Sequence, residues 1–243
     1  MPGGMNVGGY SILPFLVLVI VPLLLGLWAQ FRVKSAFNKA SKIQSSSGMT
    51  GAQIAKEIMR SFNINDVGIE ESHGMLSDHY DPKAKMLRLS KDVFHGKSVA
   101  AAGIAAHEAG HAIQHATNYG PLGLRSFLVP AAVLGSNVAN IAIMAGVLMM
   151  ALLSPKMGAT VLLIGILGLC LVALFQLITL PVEFDASRRA KDLLTTTGLV
   201  AAGPETQAMN RVLNAAALTY VAALVATVGT ILYYLLILTQ RRD

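Results

Sequence analysis

Residues 1–31, 126–155, 157–182 and 212–240 contain no Asp, Glu, Lys or Arg. Each window exceeds the roughly 20 apolar residues a helix needs to cross a bilayer. Backbone in lipid must satisfy its own hydrogen bonds, so the windows read as four transmembrane helices, over 10–30, 126–152, 158–181 and 212–239. Composition agrees, with 54% of the 243 residues hydrophobic and 13% charged, against roughly 25% charged in a soluble domain. A disordered chain is excluded, and an ordinary soluble domain does not fit.

The remaining positive charge orients these spans. Twelve of the 19 Lys and Arg residues lie from Arg32 to Arg125 and four from Arg188 to Arg211, while Lys156 stands alone between spans two and three. The positive-inside rule places the polar segments 31–125 and 182–211 in the cytoplasm and both termini outside a multi-pass cell-membrane protein, with Arg241 and Arg242 as a minor exception. Two crossings separate the polar segments, so they share one side in either orientation. The net charge of +6 follows membrane topology, and with no Gly-rich nucleotide loop present a nucleic-acid partner is not expected. No positive charge precedes the first apolar run, so it reads as a retained anchor. The single cysteine, Cys170, has no intramolecular partner.

Within 31–125, Ala36, Phe37, Ala40 and Ile43 recur at helical spacing among Lys34, Lys39 and Lys42, as in a juxtamembrane helix on anionic headgroups or a solvated basic connector. Thr50 and Gln53 resemble a capping box for a helix reaching about Phe62. Val67–Glu71, Leu76–Tyr80 and Lys85–Ser90 read as short strands of a small sheet or hairpin. From Ser98 an Ala-rich run is helical by propensity, and Asn118, Gly120 and Pro121 stop it.

That last helix carries His107-Glu108-Ala109-Gly110-His111. Histidines at i and i+4 lie on one face about 6 Å apart, so both imidazoles reach one Zn2+, and Glu108 sits where it takes a proton from water. The alternative is an Ala-rich packing helix with incidental polar residues, but imidazoles and a carboxylate on an Ala, Gly and Ile face carry a desolvation cost unless bound to something. A catalytic zinc commonly has three protein ligands. The metzincin extension is absent, since Gln114 and Thr117 stand where Gly and His are required. His115 continues the stripe but lies another ~6 Å along the axis, which suits packing or the support of a ligand. Glu183, leaving the third span after Pro181, is the expected third ligand, with Asp185 as the alternative. His73, His79 and His95 read as solvated loop histidines.

The stretches Ala106-His107-Glu108-Ala109-Gly110-His111-Ala112-Ile113-Gln114-His115-Ala116, Val182-Glu183-Phe184-Asp185-Ala186-Ser187-Arg188-Arg189-Ala190 and Asp78-His79-Tyr80-Asp81-Pro82 together resemble the YugP-like neutral zinc metallopeptidases of bacterial membranes. More distantly they are similar to the HtpX-like and Ste24-like membrane gluzincins. The resemblance covers nearly the whole chain. It implies one Zn2+ per chain held by His107, His111 and Glu183, Glu108 as general base, and peptides or membrane proteins as substrates. It also implies a mainly α polytopic membrane protein, with about four transmembrane helices and a small cytoplasmic α+β metalloprotease domain holding a short sheet and the HExxH helix. The gluzincin relatives usually place an Asp four residues after the ligand Glu, where it orients a ligand histidine; here that position is Ser187. Asp185 or Asp192 then stands as the substitute. For the oxyanion the candidates are Arg188, Arg189, His79 and Arg211.

Two other readings compete. A site-2-type intramembrane protease requires a ligand Asp within a span, and spans two, three and four contain none. A non-catalytic membrane scaffold with structural zinc usually needs four Cys or His ligands, and Cys170 is remote in sequence from the His pair. The expected function is therefore an integral-membrane zinc metalloendopeptidase, with a quality-control role on membrane or misfolded proteins, a bilayer as its environment and an oligomeric state the sequence leaves open.

Overall fold

A computed structural model describes residues 6–7, 10–74 and 77–240. Leu76, which opens the second expected strand, and Arg241 and Arg242 lie outside the described residues. The chain is mainly helical, with four long apolar helices and a small three-stranded sheet. In order, the elements are β1 (Asn6–Val7), β2 (Tyr10–Ser11), α1 (Leu13–Ala40), α2 (Gly51–Ser61), β3 (Gly68–Ser72), β4 (His79–Asp81), β5 (Met86–Ser90), α3 (Lys91–Phe94), α4 (Val99–Ala116), α5 (Gly120–Leu152), α6 (Pro155–Thr196) and α7 (Pro204–Gln240). The helices α1, α5, α6 and α7 are long and apolar enough to cross a membrane.

The chain forms two compact units. One comprises Met1–Trp28, Leu124–Ile178 and Thr219–Asp243, the other Ala29–Gly123 and Thr179–Leu218. In the first unit α5 and α6 touch backbone to backbone. A Cβ at Gly135 would lie 2.8 Å from the Gly168 carbonyl, and one at Gly168 would lie 2.5 Å from the Gly135 carbonyl. Small residues are what allow apolar helices to approach this closely.

The second unit has an ordinary buried core. Helix α2 begins with a complete capping box: the Gln53 amide N–H donates to Thr50 Oγ1 at 3.3 Å, and Thr50 N–H donates to Gln53 Oε1 at 2.8 Å. Ile54, Ala55, Ile58 and Met59 on α2 pack with Leu87 and Leu89 of β5 and with the alanines of α4. The sheet order is β3-β5-β4, with β3 parallel and β4 antiparallel to β5. Period-two alternation sends Leu87 and Leu89 into this core while Arg88, on the other face, binds Glu70 at 2.5 Å and Asp81 at 2.9 Å across both neighbouring strands. Ser98 caps α4 by accepting from Ala101 N–H at 3.2 Å. The chain turns out of α4 at Asn118, whose φ of 52° is left-handed, and Pro121 stands in the first turn of α5, where its missing N–H costs nothing.

The basic segment after the first span differs from expectation. It is no separate helix but the last turns of α1, which ends at Ala40. Ala36, Phe37 and Ala40 pack against Ala100, Ile104, Ala208 and Val212, so the apolar face for which the sequence offered headgroups or solvent is covered by protein. Likewise Pro181 lies inside α6 without ending it.

Candidate metal centre

Helix α4 is Ala-rich because it is surrounded. Ala102, Ala105, Ala106, Ala109 and Ala112 are buried, and their short side chains let neighbouring elements approach on several sides. The nearest approach is at Gly110, where a Cβ would come within 2.9 Å of the Ala186 carbonyl of α6. This contact puts the face carrying His107 and His111 beside Glu183. The His107 and His111 rings are 4.8 Å apart, nearly perpendicular. His107 Nε2 lies 3.2 Å and His111 Nε2 3.6 Å from Glu183 Oε2. One ligand atom from each of the three residues lies within 4.8 Å of the others.

The outward ring nitrogens are held as well. Gln114, fully buried, donates from Nε2 to the Val182 carbonyl at 2.8 Å and to Asp185 Oδ2 at 3.0 Å. Both acceptors claim the NH2 end, so its Oε1 faces His111 and accepts from Nδ1 at 2.9 Å. His111 therefore carries a proton on Nδ1, which leaves Nε2 as the ring atom that faces Glu183. Asp185 is in turn gripped by Arg189 Nε at 2.6 Å and by Arg188. His107 Nδ1 is hydrogen-bonded to Ser187 Oγ at 3.2 Å. Ser187 thus makes a contact to one of the two histidines from the sequence position where an Asp was expected.

Electrostatics in the cluster favour a cation. Burial pushes Glu183 upward, but the hydrogen bonds to His107 and His111 outweigh it and hold the carboxyl well below the usual range. Burial disfavours the charged form of His111, yet the pull of Glu183 raises it overall. Positive charge is thus stabilised between the carboxylate and the imidazoles. Burial pushes the Glu108 carboxyl up, with repulsion from Glu183 and Asp78 adding to the effect and the two histidines opposing it. Zinc suits the donor set: tetrahedral ligands at ~2.0–2.1 Å from the ion stand about 3.3–3.4 Å apart, the two nitrogen–oxygen separations of 3.2 and 3.6 Å bracket that spacing, and all three ligand atoms lie within 4.8 Å of one another.

The other candidates fall outside the cluster. His115 Nδ1 meets the Tyr80 hydroxyl at 2.7 Å. Exposed His79 is hydrogen-bonded through Nδ1 to the Ser77 carbonyl at 2.8 Å, and exposed His95 to Glu71 at 2.8 Å. His73, Asp192 and Arg211 are exposed. Arg188 and Arg189 are committed to Asp185, and Arg189 also lies over the Tyr119 ring at 5.9 Å. In the sequence Gln114 stands out only as a departure from the metzincin pattern, and Gly110 carries no signal of its own. A signal for Gln114 was available, since it lies three residues beyond His111 on the same helix face among Ala and Ile.

Residues 15–239 match a family described as "putative neutral zinc metallopeptidase". The chain belongs to this family. It is 42% identical over 229 residues to a protein of Bacillus subtilis (strain 168) named "putative membrane protease YugP", an alignment spanning 94% of this chain and 98% of the relative. No solved structure matches the chain. Family membership implies zinc, and His107, His111 and Glu183 are a possible site for it.

Proposed function

We propose that this protein is a gluzincin-type zinc metalloendopeptidase of the cell membrane, cleaving peptide bonds in membrane or misfolded proteins at the cytoplasmic face. The observation that carries the reading is the approach of His107 Nε2 and His111 Nε2 to the Glu183 carboxylate, 3.2 and 3.6 Å away. These three residues would hold one zinc per chain. When bound, zinc supplies Lewis acidity that polarises the scissile carbonyl and acidifies water. Glu108, adjacent to His107 and pushed up by burial, serves as the general base that accepts the proton of the attacking water and hands it to the leaving amine. Gln114 holds a proton on His111 Nδ1, Ser187 holds the orientation of His107, and Asp185 with Arg188 and Arg189 anchors Gln114.

The substrate surface follows from the sheet. Strand β4 pairs with β5 on one side, and among the described residues no strand covers its other edge. Tyr80 of β4 reaches His115 of α4, so the open edge belongs to a strand tied to the helix that bears the histidines. An extended peptide adding there would be held by backbone hydrogen bonds with little side-chain selectivity. This reading takes 10–30, 126–152, 158–181 and 212–239 as spans and 31–125 and 182–211 as cytoplasmic.

The test is metal content and casein cleavage by the purified full-length protein and its Glu108→Gln variant. Wild type is expected to hold about one zinc per chain. Glu108→Gln should keep the metal and lose at least about 100-fold in cleavage. Undiminished cleavage by that variant would refute the base assignment.

A further inference from the structure

Helix α5 carries two amides in the middle of a membrane window, and the chain leaves both outside its own packing. Asn137 and Asn140 bracket the centre of the 126–152 window, which puts them within about 3 Å of the bilayer midplane if the helix crosses it squarely. Both are exposed, and among the described residues no hydrogen bond engages either side chain. The opposite face of the helix makes the internal contacts: Gly135 meets Gly168, Ala139 lies against Gly168, and Gly146 meets Leu162 of α6. The amide face is otherwise apolar, with Val133 56%, Met144 71% and Val147 44% exposed. Positions 133, 137, 140, 144 and 147 alternate four- and three-residue steps, the a/d spacing of a left-handed helix pair.

We propose that this face of α5 is the interface of a homodimer, with Asn137 and Asn140 hydrogen-bonded to the same residues of a second copy. An amide in hydrocarbon needs a partner that both donates and accepts at the same depth. Copies of one membrane protein insert with one orientation, so a two-fold axis along the membrane normal runs the two α5 helices parallel. Every residue on the seam then meets its own equivalent. Asn137 faces Asn137 and Asn140 faces Asn140, and each amide offers its NH2 and its carbonyl to an identical group. A second copy is thus complementary by symmetry, whereas a heterologous helix would need amides placed independently at these two depths. The inference rests on α5 spanning the membrane and is independent of the metal chemistry.

Cysteine cross-linking in native membranes tests it, in a Cys170→Ser background because Cys170 is itself exposed. Oxidation should join Met144→Cys chains into a dimer and leave Leu134→Cys, exposed but turned away from the seam, monomeric. In phosphatidylcholine vesicles the Asn137→Leu/Asn140→Leu protein should show a dimer dissociation constant raised at least about tenfold, with wild-type zinc content showing that it is folded. Asn137→Gln/Asn140→Gln, which keeps both amides, should dimerise better than the leucine variant and serves if leucine prevents folding. A wild-type protein monomeric at every lipid dilution, equal cross-linking through Leu134→Cys, or an unchanged constant in the leucine variant would overturn the proposal. So would Met144→Cys joining only to other polypeptides, which would assign the face to a different partner. Zinc content and Glu108-dependent cleavage are measured on the same samples, so failure of the dimer and failure of the proposed peptidase are read separately.

Discussion

Helices α4 and α5 follow one another in the chain and are both built largely from small and apolar residues, yet they treat their polar side chains in opposite ways. On α4 the two histidines and Gln114 are each met from within the chain. His107 finds Glu183 and Ser187, His111 finds Glu183 and Gln114, and Gln114 finds Val182 and Asp185. On α5, Asn137 and Asn140 are exposed on the face opposite its packed glycines. The difference teaches that a polar residue in an apolar helix marks a demand for a partner, and that the site of satisfaction separates an internal centre from an intermolecular surface. It also explains why α4 can be so rich in alanine: its specificity lies in polar contacts to α6 rather than in interlocking large side chains.

The largest effect should come from breaking the α4 cluster. Glu183→Ala removes the one carboxylate that both imidazoles approach, and purified protein should fall from about one zinc per chain to almost none by elemental analysis. Retention of zinc in that variant would mean that another residue closes the site. Next is Gly110→Val. Its Cβ would enter the 2.9 Å gap to the Ala186 carbonyl, and the forced separation of α4 from α6 should cost about 1–3 kcal/mol, seen as a lower Tm together with weaker zinc binding. A smaller loss is expected for Gln114→Ala, about 10–100-fold in zinc affinity measured against a competing chelator, with Asp185→Ala weaker still because Gln114 keeps its bond to Val182. A larger loss in Asp185→Ala than in Glu183→Ala would exchange the roles assigned to these carboxylates. The smallest effect sharpens the comparison from the other side: Asn137→Leu/Asn140→Leu should leave zinc affinity unchanged, and any clear drop would show that the two polar sets are coupled.

Much of this was legible in the order of residues. Charge-free windows mark long apolar helices because a buried charge in such a helix is costly, and that rule acts locally. The capping box of Thr50 and Gln53 and the i, i+4 pair of His107 and His111 are likewise local, since helix geometry alone sets their spacing. The parallel pairing of β3 with β5 was not legible, because register depends on which strand edges are free once the chain has closed. Nor was the burial of the α1 end beneath Ala208 and Val212, since an apolar stripe looks the same whether lipid or protein covers it.

The amino-acid order alone therefore determined the helices, the histidine pair and the carboxylates available to it, all of which follow from short-range periodicity and from the cost of charge in lipid. Tertiary structure alone decided that Glu183, 76 positions beyond His107, meets the histidines, that Ser187 reaches His107, and that Gln114 orients His111. Those choices depend on a backbone approach permitted by the missing side chain of Gly110, and a contact between residues far apart along the chain leaves no mark in the local spacing of either partner.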